Sequence, residues 1–98
     1  MRAAATVILP LALAACATSS PPPDSDLAAA RTAILQAEPG AQRYAPAELR
    51  VAQDKLSRAE QAIARDDWRE ARRLAEEAEV DARYAGALAE NERTRRDE

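Results

Sequence analysis

The 98-residue sequence contains no histidine and a single cysteine, Cys16. Without these residues, neither a histidine-dependent catalytic triad nor a zinc site of histidine or cysteine type can be assembled. We therefore expect a protein that is not an enzyme, holds no metal or cofactor and takes no small-molecule substrate. The formal net charge of −3 argues against nucleic acid as a partner, because binding to a polyanion requires an excess of basic side chains.

Large apolar side chains are also scarce. The sequence has no phenylalanine, one tryptophan and two tyrosines, and its apolar fraction is mostly alanine. Alanine buries little area per residue, so we expect a small domain of marginal stability. No segment shows the alternation typical of a strand, and helix-forming residues dominate after Ser25. These features predict an all-α fold.

The first 16 residues have the layout of an export signal. A basic start at Arg2 precedes an apolar run, which is too short for the ~20 residues needed to span a bilayer. The run ends in Leu13, Ala14, Ala15 and Cys16, which resemble the lipobox of bacterial lipoproteins. The resemblance implies cleavage of a signal peptide, residues 1–15, and a covalent diacylglycerol and N-acyl chain on Cys16. The alternatives are an alanine-rich leader that meets a cysteine by chance and an uncleaved membrane anchor.

Residues 16–24 are small, polar and rich in proline, which predicts an extended flexible tether. Ala17 follows the cysteine, where an aspartate often retains lipoproteins in the inner membrane. For a Gram-negative source we therefore expect the periplasmic face of the outer membrane rather than the inner membrane.

Residues 25–93 are predicted to form a domain of three helices. The first helix should cover residues 26–38 and end at Pro39-Gly40, since proline and glycine interrupt helices. After a connection over residues 41–45, the second helix should begin at Pro46 and reach about Arg65. The third should reach about Arg93, and the polar tail 94–98 should fray.

The second and third helices carry complementary stripes. Leu49, Leu56 and Ile63 recur at helical spacing on the second helix. The third helix carries a stripe of six alanines: Ala71, Ala75, Ala78, Ala82, Ala85 and Ala89. Folding back at Asp66-Asp67 sets large residues against small ones, which predicts a close antiparallel hairpin. The first helix should cover the remaining groove and complete an up-down-up bundle.

The three aromatic residues are the candidate partner-contact residues. Trp68 should close the turn end of the hairpin or anchor a partner protein. Tyr44 and Tyr84 should pack together at the opposite end.

The run Tyr44-Ala45-Pro46-Ala47-Glu48-Leu49, followed by Asp67-Trp68 and the alanine positions, resembles the DUF4398 family of small bacterial envelope lipoproteins. The resemblance covers about residues 27–90. It implies a lipid-anchored helical protein without an assigned activity.

The sequence thus predicts a non-enzymatic structural or docking lipoprotein of the cell envelope. Its expected contacts are the membrane, through the lipid, and either an envelope protein or a second copy. Two alternatives stay open: a tetratricopeptide-like module that binds a protein or peptide, and a self-associating coiled coil.

Overall fold

The computed structural model describes residues 22–97, which form three helices and contain no strand. The helices are α1 (Asp24–Tyr44), α2 (Pro46–Ala64) and α3 (Trp68–Asp97). This confirms the all-α bundle. The lipobox residues Leu13, Ala14, Ala15 and Cys16, with the rest of the predicted signal peptide and the tether as far as residue 21, lie outside the described residues. Asp24, expected to end the tether, is the first residue of α1.

The three helices run up, down and up, with α3 as the helix that both others contact most. An ion pair of 3.3 Å between Asp26 and Arg72 joins the first turns of α1 and α3, so these two helices are parallel. Arg31 of α1 and Glu60 of α2 are 3.3 Å apart, as the antiparallel direction of α2 requires. The start of α1 and the turn between α2 and α3 therefore lie at the same end of the bundle.

The predicted alanine stripe forms the core. All six alanines of the stripe are buried, together with Leu74. Leu49 shares one hydrophobic cluster with Ala85, and Leu56 packs against a second cluster that contains Ala78. The large-against-small register of the hairpin is thus confirmed. Since alanine projects only a methyl group, the helices approach closely along this seam.

The prediction that α1 ends at Pro39-Gly40 is wrong, because the helix continues through both residues to Tyr44. Pro39 lies on the exposed side of α1, where water can satisfy the carbonyl that its missing N–H leaves free. Beyond it, Ala41 is completely buried. A β-carbon on Gly40 would be 3.4 Å from the β-carbon of Ala89, so glycine permits a close approach to α3. Tertiary contacts therefore outweigh the local helix-breaking signal.

The predicted five-residue connection between α1 and α2 is reduced to Ala45. Its backbone angles, φ −146° and ψ 51°, lie outside the helical region and reverse the chain direction. The N–H of Ala45 donates to the carbonyl of Ala41, and its own carbonyl accepts from the N–H of Leu49. Pro46 begins α2 as predicted, at a position where no intrahelical donor is needed.

The turn between α2 and α3 ends one helix and caps the next. The N–H groups of Asp66 and Asp67 donate to the carbonyls of Ile63 and Ala62, both at 2.9 Å, in the pattern of a Schellman motif. Asp66 has the left-handed φ of 59° that this motif requires. The side chain of Asp67 then accepts from the N–H of Glu70 at 3.2 Å. Asp67 thus satisfies one of the free N–H groups in the first turn of α3.

The polar segment expected to fray from Thr94 is helical as far as Asp97. Glu92 stabilises it through ion pairs with Arg95 at 3.5 Å and with Arg96 at 3.2 Å. The hydroxyl of Thr94 donates to the carbonyl of Glu90 at 2.9 Å. These i,i+3 and i,i+4 contacts extend the last turns of α3.

Candidate docking surface

A shallow groove runs between α2 and α3 on the face turned away from α1. We call it the outer groove. It is lined by Glu48, Val51, Lys55, Glu77, Val80, Asp81 and Tyr84. On α3, Gly86 faces Ala37 of α1. Tyr84 lies two residues earlier and so points roughly 200° around the helix from Gly86. The outer groove is therefore the side of the hairpin that α1 leaves uncovered.

An ionic cluster forms the floor of the outer groove. The ammonium of Lys55 is 2.6 Å from Oδ2 of Asp81 and 3.2 Å from Oε1 of Glu77. Oδ2 of Asp81 is buried and accepts no well-aligned hydrogen bond, so the ammonium of Lys55 compensates its charge as an ion pair. The close contact with Asp81, aided by Glu77, raises the pKa of Lys55 above its ordinary value. The only lysine of the sequence thus links α2 to α3 across the groove.

Three apolar side chains stand around this ionic cluster and are largely exposed. Their exposed fractions are 48% for Val51, 64% for Val80 and 56% for Tyr84. Val80 and Tyr84 are one turn apart on α3, and Val51 faces Tyr84 across the groove. Isolated exposed apolar residues are common on proteins, whereas grouped ones with a polar rim are typical of contact surfaces. The outer groove groups three such residues, although its polar side chains form the floor and not the rim.

The structure places the three predicted contact residues in three different surroundings. The ring of Tyr44 packs against the core, with the guanidinium groups of Arg43 and Arg96 each 5.2 Å from its centre. Tyr84 lines the outer groove, and Trp68 is half-buried as the first residue of α3.

The prediction that Tyr44 and Tyr84 pack together is therefore wrong. Arg96, which contacts Tyr44, is separated from Tyr84 by about 18 Å of helix at 1.5 Å per residue. Sequence reasoning also missed Val51, Val80 and Lys55 as groove residues. The available signal was that Val80 and Tyr84 lie off the alanine stripe at a spacing of four residues.

The turn end of the hairpin carries charged side chains that largely satisfy one another. Arg73 forms ion pairs with both Glu70 and Glu77. Its hydrogen bond to Glu70 lowers the pKa of that carboxyl group.

Within residues 22–97, the cysteine, aspartate and glutamate side chains form no group of three or more that could hold a metal ion. Nor is any helix within that range apolar and long enough to cross a bilayer.

These features define a small helical bundle that is stabilised by an alanine seam and exposes a groove lined by both apolar and charged side chains. The chain belongs to the family described as "Domain of unknown function (DUF4398)", whose model matches residues 25–98. The match confirms the family predicted from the run around Tyr44 and extends it to the last residue. No curated protein matches the chain, and no solved structure matches it.

Proposed function

We propose that the protein is a lipid-anchored lipoprotein of the bacterial outer membrane, whose bundle has a non-enzymatic docking role on the periplasmic side. The observation that carries this proposal is the lipobox-like run Leu13-Ala14-Ala15-Cys16 behind a basic and apolar leader. A diacylglycerol with an additional N-acyl chain would hold the protein stably, whereas a single acyl chain binds membranes only marginally.

The position of the first helix supports this role. Asp24, where α1 begins, is the eighth residue after Cys16. An extended chain of that length reaches at most about 29 Å at 3.6 Å per residue. The anchor would therefore hold the end of the bundle that contains the start of α1 near the membrane surface. The outer groove, which runs along the side of the bundle, would remain accessible to other envelope molecules.

Metabolic labelling tests the anchor. Cells that express the full chain should incorporate radiolabelled palmitate into it, and Cys16→Ala should abolish the label. Ser19→Ala is the matched control, since it changes a neighbouring small residue and should leave labelling intact. Equal labelling of the wild type and Cys16→Ala would refute the lipid anchor.

Membrane fractionation in a Gram-negative host tests the location. The wild type should sediment with the outer membrane, while Ala17→Asp should move the protein to the inner membrane. Recovery of the wild type in the inner-membrane fraction would contradict the proposed outer-membrane location without affecting the anchor.

The docking role has a separate test. A photoactivatable cross-linker at Val80 should capture a specific partner in living cells, and the same cross-linker at Leu35, an equally exposed residue of α1, is the control. Equal cross-linking from both positions would contradict a docking role for the outer groove.

A further inference from the structure

Trp68, the only tryptophan of the sequence, lies beside the point where the chain enters the bundle. Arg72 follows it by one turn on the same face of α3, and the guanidinium of Arg72 is 3.3 Å from the carboxylate of Asp26. Trp68 therefore lies on the face of α3 that is turned toward the start of α1. It precedes this ion pair by about 6 Å on α3, and Asp24 precedes it by about 3 Å on α1.

The side chain of Trp68 is open to the surroundings of the bundle. It is half-buried, whereas Leu27 and Leu74 are buried in the hydrophobic cluster at this end. Among residues 22–97, Trp68 is part of neither hydrophobic cluster. Its indole N–H donates to no acceptor within that range and is not sealed from solvent. The N–H is thus available to an acceptor outside the bundle.

The chain reaches this end of the bundle at a fixed point. Pro23, immediately before α1, is fully buried, and its carbonyl accepts from the N–H of Leu27 at 2.9 Å. Pro23 is the seventh residue after Cys16, so an extended chain between them spans at most about 25 Å. The 30 residues of α3 are about 45 Å long. A lipid on Cys16 would keep the end that contains Trp68 close to the membrane, while the opposite end can stand clear of it.

We propose that Trp68 inserts into the headgroup region of the membrane, an inference that rests on the proposed lipid anchor. Tryptophan favours this region of a bilayer because its ring is apolar and its N–H can donate to polar lipid groups. The lipid and the ring then form two contacts at one end of the bundle. Together they direct α3 away from the membrane and leave the outer groove on the side.

The charges around Trp68 indicate which kind of lipid surface it meets. Residues 24–27 and 65–73 contain four arginines and five acidic residues: Arg65, Arg69, Arg72, Arg73, Asp24, Asp26, Asp66, Asp67 and Glu70. Attraction to anionic lipid requires an excess of basic side chains, which this end does not have. Insertion of the ring therefore has to supply the contact, and a zwitterionic phospholipid should suffice.

Fluorescence of the full chain tests the contact, because no other tryptophan contributes to the emission. The protein is produced in a bacterial host, purified in detergent and reconstituted into phosphatidylcholine vesicles with or without bromine on the acyl chains near the headgroup. Bromine quenches a ring that it touches, so the emission of Trp68 should fall in the brominated vesicles. Equal emission in both vesicles would overturn the proposal, as would quenching that requires added phosphatidylglycerol.

A relocated tryptophan is the matched control. The double variant Trp68→Phe, Tyr84→Trp keeps an aromatic ring at both positions and moves the indole about 24 Å along α3. Its emission should be the same in both vesicles. Quenching equal to that of the wild type would show that the bundle lies on its side on the membrane, which would refute the contact through the Trp68 end.

Mass spectrometry of the same samples separates this inference from the lipid anchor. A lipid-bearing protein that bromine does not quench retains the anchor and refutes the Trp68 contact. Quenching of a protein without lipid would refute the anchor and keep the contact, and the absence of both would refute both.

A cross-linker distinguishes a membrane from a protein partner. A photoactivatable residue in place of Trp68 should attach to phospholipid in living cells. Attachment to a protein instead would assign Trp68 to a protein contact and overturn the proposal.

Discussion

Replacing Gly86 with alanine should stabilise the bundle. Gly86 lies in the middle of α3, where glycine costs about 1 kcal/mol relative to alanine because it loses more backbone freedom on folding. A β-carbon added there would be 3.6 Å from the β-carbon of Ala37 and 3.8 Å from its α-carbon. Both distances are ordinary van der Waals contacts, so the new methyl group fits without displacing α1.

The expected gain in the free energy of unfolding is therefore about 1 kcal/mol, which corresponds to a rise in Tm of about 4–8 °C for a domain of this size. Thermal melts of the purified protein, followed by far-ultraviolet circular dichroism, measure it directly. Chemical denaturation should show a higher midpoint with an unchanged slope.

Two further glycine variants test the same contact between α1 and α3. Gly86→Leu adds a branched side chain at the contact with Ala37 and should destabilise the bundle by about 1–3 kcal/mol through overpacking. Gly40→Ala should gain less than Gly86→Ala, since its β-carbon would be only 3.4 Å from that of Ala89. A lower Tm for Gly86→Ala than for the wild type would refute the geometry of the contact between α1 and α3.

Two further changes test other parts of the fold. Pro39→Ala restores a backbone donor inside α1 and removes the proline ring from the helix, so it should raise the free energy of unfolding by about 1–3 kcal/mol. A lower melting temperature for this variant would show that α1 does not continue through residue 39. Lys55→Met removes the partner of the buried Oδ2 of Asp81 and should cost about 1–3 kcal/mol at neutral pH, whereas Lys55→Arg should cost less. Because the pKa of Lys55 is raised in the folded protein, its contribution is fully present below its ordinary value of 10.5 and is lost as the pH rises through the higher folded value. The difference in Tm between the wild type and Lys55→Met should therefore shrink in strongly alkaline buffer, and a difference that grows there would contradict the ion pair.

The core could be predicted from the sequence because its signal is periodic. The alanines of α3 recur at a spacing that puts them on one face, and the leucines of α2 recur on the facing side. The turn at Asp66-Asp67 then fixes the register of the hairpin, in which Leu49 lies near Ala85. The starts of α2 and α3 were predictable from Pro46 and Asp67, because each of these residues favours a helix start through its own first turn.

The extension of α1 and the composition of the groove could not be predicted in this way. Pro39 and Gly40 are strong local signals for a helix end, and only contacts with α3, distant in the sequence, override them. The hairpin register alone predicts Tyr84 beside Tyr44 at one end of the bundle. The position of each ring around its helix axis depends on how α1 packs against α3. No local sequence pattern predicts that packing.

The central position of α3 has a consequence for how the molecule comes apart. Helices α1 and α2 each make most of their tertiary contacts with α3 and fewer with each other. Short helices are marginal in water without such contacts. Loss of α3 by proteolysis or truncation should therefore release both other helices together. The domain should unfold as one cooperative unit rather than leave a stable helical pair behind.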